Sequence, residues 1–291
     1  MSEKFAQTLK QSDSGLRQWP IAAHATGGGK QAIRSFLQDL RAEHGPLGLL
    51  GRFFLNADKA VRNHGVTLAF ASLGELGAVN ESIQDPWWDL MPMFDSRVHR
   101  FEPDRALCLL GYDADGEVVA TQAARVYDVG ETNLKSVAED LSLFYGSAKP
   151  PVDAFCRSTA PSAEHISGLV TYSGCGWYRQ DYRGRLLSAI LPRISRSLAL
   201  AMWNTEYTIS IIDWILVEKG VSDRYGYHNA DDGVLIHGFI EPEFRGALTW
   251  MHQDELLKDL RAFLGDASSE VDVTIGRSGD QERLAQRVGE R

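Results

Sequence analysis

The chain has 291 residues, 44% of them hydrophobic and 24% charged, which supplies enough apolar side chain for a buried core in one large domain or two small ones. A formal net charge of −9 argues against a general nucleic-acid or anionic-membrane binder, because such partners select for a basic surface that neutralises phosphate. No stretch approaches the ~18 consecutive apolar residues that cross a bilayer, and residues 1–20 lack the apolar run of a secretory signal, so a cytoplasmic address is expected.

Residues 1–60 are weakly patterned and read as an N-terminal extension. Within them Gly27, Gly28, Gly29 and Lys30 invite a phosphate-loop reading. A Walker A motif needs glycine where His24 stands and Ser or Thr where Gln31 stands, so a flexible loop is expected instead. Ile33, Phe36, Leu37 and Leu40 recur at helical spacing and predict a helix over 31–44, ended by Gly45 and Pro46. The run from Val66 to Ser72 reads as a buried strand, followed by a helix that Pro86 interrupts. Trp87, Trp88, Met91, Met93 and Phe94 then form an aromatic segment, suited to core and also to the floor of a pocket.

Two β-rich runs, 106–112 and 118–126, flank Asp113-Ala114-Asp115-Gly116-Glu117 and predict a hairpin. Residues 131–145 are patterned as a helix with Thr132 as its cap. A strand is expected from His165 to Trp177, then a long helix over 184–203 that Pro192 should bend. A short strand follows at 207–212, a helix at 213–224 broken by Gly220, and strands at 233–239 and 247–251. The core domain is thus placed at 61–265, with a polar tail over 266–291. Strands alternating with helices predict a mixed α/β sheet.

Cys108, Cys156 and Cys175 are far apart and match neither a disulfide framework nor a zinc ribbon, and the eight histidines show no HExxH spacing. No metal is therefore expected. Arg179, Arg183, Arg185, Arg193 and Arg196 fall close together with only Asp181 opposing them, a basic island in an acidic chain. Such an island before a helix suits a diphosphate, since a helix N-terminus offers unpaired N–H groups and partial positive charge and guanidinium binds phosphate well. A solvated basic helix face is the alternative.

The order hairpin, strand, turn, helix, strand, helix, two strands, together with the stretch from Trp177 to Ser188, resembles the GNAT superfamily of acyl-CoA-dependent acyltransferases over residues 100–252. That stretch is similar to the family's strand exit and pyrophosphate loop, and Arg224-Tyr225-Gly226-Tyr227 resembles its aromatic-rich exit from the last helix. The resemblance implies a mixed, mostly antiparallel central sheet flanked by helices. It implies acetyl-CoA or another acyl-CoA as co-substrate, held by Tyr178, Arg183, Gly184, Arg185, Leu186, Leu187 and Ser188. Leu186 departs from a family glycine, and Ser188 stands where the family has Gly or Ala.

Ser222 occupies the slot of the family's tyrosine acid, so Tyr225 becomes the candidate acid. Asp213 is the candidate base, a position equally suited to capping the next helix. Cys175 reads as a small buried thiol, since nothing supplies a paired histidine. The resemblance implies acyl transfer to a small-molecule or peptide amine, with a homodimer as an assembly open to it and neither nucleic acid nor membrane as partner. A non-catalytic ligand-binding protein of the same fold is the alternative. So is an enzyme using a long-chain acyl-CoA or an acyl carrier protein, whose acidic helices would meet Arg193 and Arg196.

Overall fold

In a computed structural model that describes residues 33–83, 87, 89–98, 104–239 and 243–268, the β-rich runs join into one sheet. Its strands are β1 (Thr67–Ala71), β2 (Ala106–Tyr112), β3 (Val118–Asp128), β4 (Phe155–Ser158), β5 (Leu169–Tyr178), β6 (Tyr207–Asp213), β7 (Asn229–His237) and β8 (Phe244–His252). They lie in the order β1-β2-β3-β5-β6-β8-β7-β4. Every neighbouring pair is antiparallel except β5 and β6, which run parallel. A parallel pair needs a crossover, and the helix that supplies it, Leu187–Trp203, is the longest apolar helix of the predicted set.

The remaining helices are α1 (Leu47–Asn63), α2 (Leu73–Ser82), α3 (Leu134–Glu139), α4 (Ser142–Tyr145), α6 (Trp214–Glu218), α7 (Val221–Arg224) and α8 (Gln253–Ser268), with the crossover helix as α5. Ser72 starts α2 with a full capping box, its hydroxyl accepting from Glu75 N while the Glu75 carboxylate accepts from Ser72 N. Gly220, at φ 64, separates α6 from α7 where the sequence predicts the break.

Side chains alternate along each strand and so divide the interior in two. Leu68 and Phe70 of β1 and Leu107 and Leu109 of β2 join the core beneath α1, α5 and α8. Ala69, Cys108 and Leu110 join the opposite core, which includes Phe94, Phe144 and Tyr172. Phe53 and Phe54 of α1 are fully buried, each worth roughly 1.5–3 kcal/mol of transfer free energy.

Several expectations change. The helix predicted over 31–44 is only a 3-10 turn at Phe36–Gln38. Phe36 docks edge-on against Phe54 and Phe70, and Ser35 donates to Asp58 of α1 at 3.0 Å, so tertiary packing overrides the local period. Residues 47–60, expected in the extension, make up most of α1. The helix predicted over 131–145 divides at Leu141, whose φ is 67, and its cap is Asn133 rather than Thr132. Edge strand β4 and helix α8 are additions to the predicted elements, and α8 carries the chain through Ser268, into the expected tail. The glycine loop around Gly28 and the side chain of Trp88 lie outside the described residues.

Candidate functional site

The site begins with an irregularity in β5. Thr121 of β3 pairs with Trp177 and Ala123 with Gly174, so Cys175 and Gly176 stand opposite Gln122 alone. Two residues against one make a β-bulge, and Cys175 takes up the extra length at φ 54. Side chains from β3 satisfy the bulge's carbonyls. Thr121 Oγ1 donates to Cys175 O at 2.6 Å, and Gln122 Nε2 donates to Gly174 O at 3.0 Å and to Ser173 Oγ at 3.2 Å.

Beyond the bulge the sheet opens. Parallel pairing of β5 with β6 covers Val170 with Tyr207, Thr171 with Thr208 and Tyr172 with Ile209, and then stops. Past this point Gly174, Cys175, Gly176 and Tyr178 line one wall of a cavity of about 420 Å³, and Ser210, Ile211, Ile212 and Asp213 line the other. The cavity lies between strands that are hydrogen-bonded at one end and parted at the other. Pro192 of α5 and Tyr225 and Tyr227, following α7, close one side of it, while Trp87, Met91, Phe94 and Phe244 close the other.

Polar atoms without partners collect around this space. Gln122 Oε1 and the hydroxyls of Tyr178 and Tyr227 are buried and meet no hydrogen-bonding partner. Each unpartnered group costs about 1–3 kcal/mol in a folded protein, and all three belong to residues that line this cavity, although the atoms themselves are covered. Gly176 shows how closely two of them face it. A Cβ built there would come 3.2 Å from Gln122 Oε1 and 3.6 Å from Tyr178 Oη. Burial, with the neighbouring Tyr225 adding to it, holds the Tyr178 hydroxyl well above the ordinary phenol pKa. Burial also raises Tyr227 against the opposing charge of Arg196, whose guanidinium lies over the Tyr227 ring at 4.4 Å. Arg196 and Ser173 lie near enough to the Tyr227 hydroxyl to draw its pKa down against burial, though neither makes a full hydrogen bond to it.

After Tyr178, β5 runs through a 3-10 turn at Gln180–Tyr182 into α5. No side chain caps α5, and its N-cap, Leu186, holds the left-handed conformation at φ 61 with 47% of its surface exposed. The Leu186 side chain turns outward to solvent, so the first amides of the helix are not sealed by it. Arg183, Gly184 and Arg185 are exposed beside it, with Arg183 Nε donating to Tyr178 O at 3.0 Å and Arg185 stacked 4.2 Å from the Tyr182 ring. Arg179 instead pairs with Asp181 at 2.7 Å and with Asp113 of the β2–β3 turn at 3.0 Å.

The other two arginines face inward, which corrects the expectation that they meet a carrier protein. Arg193 binds both carboxylate oxygens of Asp259 in α8 at 2.8 Å and also donates to Arg224 O. Arg196 is wholly buried and donates to Tyr225 O at 2.6 Å. Both are therefore internal struts between α5, α8 and the Tyr225–Tyr227 segment.

Of the expected site residues, Tyr178, Asp213 and Tyr225 line the cavity together, while Arg183 to Ser188 form the turn and first residues of α5 and are not among its lining residues. Asp213 Oδ1 accepts from Ile215 N at 2.9 Å, so one oxygen caps α6 while the residue also lines the cavity. Tyr225 is half-buried, and burial raises its hydroxyl pKa against the pull of Arg224. Ser222 is buried away from the cavity. Cys175 lines the cavity through its residue surface, but its thiol is buried and pushed up in pKa, the opposite of an activated nucleophile. Gln122, Tyr172 and Tyr227 escaped the sequence reading. Only the glycine pair Gly174 and Gly176 within an apolar strand hinted at a bulge there.

Among the described residues no group of three or more His, Cys, Asp or Glu is placed to hold a metal ion, and no helix is long and apolar enough to cross a membrane. No protein-family model and no curated protein sequence matches the chain. Solved structures do. One is Mycobacterium smegmatis RimJ in complex with CoA-disulfide, at 11% identity and TM-score 0.39, covering 68% of this chain and 89% of that one. Another is Arabidopsis thaliana NAA60 in complex with a bisubstrate analogue, at 11% identity and TM-score 0.36, covering 64% and 98%. A third is an acetyltransferase of GNAT family from Streptococcus pneumoniae, at 9% identity and TM-score 0.36, covering 64% and 98%. In this chain itself, the strand order, the single parallel pair and the long helix between its strands form a mixed, mostly antiparallel sheet.

Proposed function

We propose that this protein transfers an acyl group from acetyl-CoA or another acyl-CoA to a primary amine. The observation that carries the reading is the opening between β5 and β6, with β5 continuing beyond it through a short turn into the uncapped start of a 17-residue helix. An extended thioester arm fits a slot between parted strands, and its diphosphate suits the amides of Leu187 and Ser188 with Arg183 and Arg185 alongside. In this reading, backbone donors of the bulge at Gly174–Gly176 polarise the thioester carbonyl.

Asp213 accepts one proton from the ammonium and releases it to solvent. The free amine nitrogen then adds to the carbonyl carbon, forming the C–N bond as the C–S bond breaks. Tyr225 gives its hydroxyl proton to the departing sulfur and regains the remaining proton from the new amide nitrogen. The products are an amide and a free thiol. Positioning of the two reactants supplies most of the acceleration, so few fixed residues are needed.

Calorimetry with acetyl-CoA, longer acyl-CoAs and free CoA, followed by thiol-release assays on an amine panel, tests this directly. Binding at micromolar to low-millimolar ligand with turnover is expected, and loss of turnover in Asp213→Asn or Tyr225→Phe. Absence of binding at millimolar acyl-CoA removes the proposal. Asp213 already serves as a cap, which favours a second reading in which the protein binds acyl-CoA without transferring it. Binding without turnover across the panel selects that reading.

A further inference from the structure

We infer that the acceptor is a primary amine bearing a flat apolar group, an arylalkylamine in chemical class, taken from the side of the sheet opposite α5. The inference rests on the acyl-transfer reading and deepens it.

The cavity passes through the sheet, because its walls belong to both cores. Tyr178, Tyr225 and Tyr227 pack with the core beneath α5, whereas Phe94, Tyr172, Ile211, Trp87, Met91 and Phe244 pack with the other. The α5 side holds Tyr178, Tyr225 and Tyr227, and on the acyl-transfer reading it takes the donor, which leaves the opposite side for the second reactant. That side is aromatic and rigid. Trp87 stacks on Trp177 at 5.3 Å, Phe94 meets Tyr172 edge-on at 5.9 Å, and Arg125 ties the turn at Pro92–Phe94 to β3 by donating to Met93 O at 3.1 Å.

One charge accompanies these apolar walls. Among the described residues lining the cavity, Asp213 is the single ionised side chain. Residues 209, 211 and 213 of β6 share a face by the two-residue period, and Ile209 and Ile211 both pack with Phe94 and Tyr172. The carboxylate thus stands at the rim of the aromatic side. A single carboxylate matches a single ammonium. A polyamine needs several acidic groups, and an amino alcohol would leave its hydroxyl unpaired among Trp87, Met91 and Phe94. Aromatic rings and a thioether are the surfaces against which a flat apolar group gains most.

The test uses the full chain and measures acetyl-CoA binding by calorimetry alongside kcat/KM for 2-phenylethylamine, ethanolamine and spermidine, read by thiol release. 2-Phenylethylamine should exceed both others by at least about tenfold, the scale of discrimination an apolar pocket provides. Trp87→Ala and, independently, Met91→Gln should each reduce that preference to below about threefold. Saturable binding of 2-phenylethylamine without CoA, read by tryptophan fluorescence, should weaken at least about tenfold in Asp213→Asn. If acetyl-CoA binds and ethanolamine or spermidine is used as well as 2-phenylethylamine, the acceptor assignment falls alone. If acetyl-CoA fails to bind while the arylalkylamine binds through Asp213, the transfer reading falls and the amine site stands.

Discussion

The hydroxyl of Tyr172 accepts a hydrogen bond from the backbone N–H of Ile211 at 3.1 Å, two residues along β6 beyond the last rung joining β5 to β6. Where a continuing parallel ladder would place a carbonyl, a phenol from the neighbouring strand takes the donor instead. Its ring stands between the strands as they part, and the cavity starts there. Tyr172 therefore both ends the pairing and satisfies the amide that ending it would orphan.

Tyr172→Phe keeps the wedge and removes the acceptor, so Ile211 N is left unpaired in a partly buried position. The expected cost is about 1–2 kcal/mol of stability, measured by urea denaturation, with faster amide exchange at Ile211. An unchanged exchange rate at Ile211 would show that the phenol oxygen does not hold that amide.

Gly176 tests whether the cavity is used. A methyl group placed there would crowd Gln122 Oε1 at 3.2 Å and Tyr178 Oη at 3.6 Å, reaching into the space these atoms face. Because Gly176 is exposed, Gly176→Ala should change stability by less than about 1 kcal/mol while weakening acyl-CoA binding about tenfold, as seen by calorimetry. Equal affinity in the variant would remove Gly176 from the ligand path.

The orphaned tyrosines set stability against function. Tyr178→Phe and Tyr227→Phe each delete a buried hydroxyl that has no partner, so each should raise stability by about 1 kcal/mol while lowering affinity for the ligand that supplies the missing bond. The pH dependence has a definite sign. Both folded-state pKa values are raised above the unfolded value, so the stabilising contribution is complete below the unfolded phenol pKa and is lost as pH rises through the folded one. Urea midpoints recorded from neutral to strongly alkaline pH should fall less steeply in the Phe variants than in the parent chain.

Periodicity exposed much of this architecture in the sequence and failed at identifiable places. The β2–β3 hairpin, β5, α5 and β6 carry strong two- or three-to-four-residue periods, and their order yields the parallel pair that frames the site. Helix α1 has Leu50, Phe53, Phe54, Ala57 and Val61 at helical spacing, yet Gly48 and Gly51 in its first turns disguise it. The turn between β5 and α5 was legible because it depends on local residues. Gln122, Tyr172 and Tyr227 were not, because their importance arises from a bulge and a parting of strands. Arg193 and Arg196 misled for the related reason that their partners, Asp259 and Tyr225, lie 66 and 29 residues away along the chain.

That long-range pairing is itself testable. Arg193 and Asp259 are 12% and 6% exposed and joined by two bonds, so Arg193→Ala leaves a carboxylate buried beside the wholly buried Arg196. Removing one member of such a pair costs about 3–5 kcal/mol, far more than loss of a surface contact. Urea unfolding of Arg193→Ala should show a loss on this scale that varies little between low and high salt. A small, salt-dependent change would return Arg193 to the surface role first expected of it.

Leu186 is where the fold and the proposed ligand meet most tightly. Its left-handed conformation costs roughly 1–2 kcal/mol for a residue with a Cβ, and glycine would adopt it freely. Glycine also gives the unfolded chain more freedom, worth about 0.4–1 kcal/mol in the other direction, so Leu186→Gly should leave stability within about 1 kcal/mol of the parent. Its effect on acyl-CoA affinity should be larger, a severalfold tightening, because the exposed side chain beside the amides of Leu187 and Ser188 is gone. Leu186→Ala separates the two causes, since it removes the bulk and retains the strain. Tightening in both variants assigns the effect to the side chain, and tightening in glycine alone assigns it to the backbone. Calorimetric affinities unchanged in both would mean that the diphosphate does not approach the start of α5, and the donor assignment would lose its anchor.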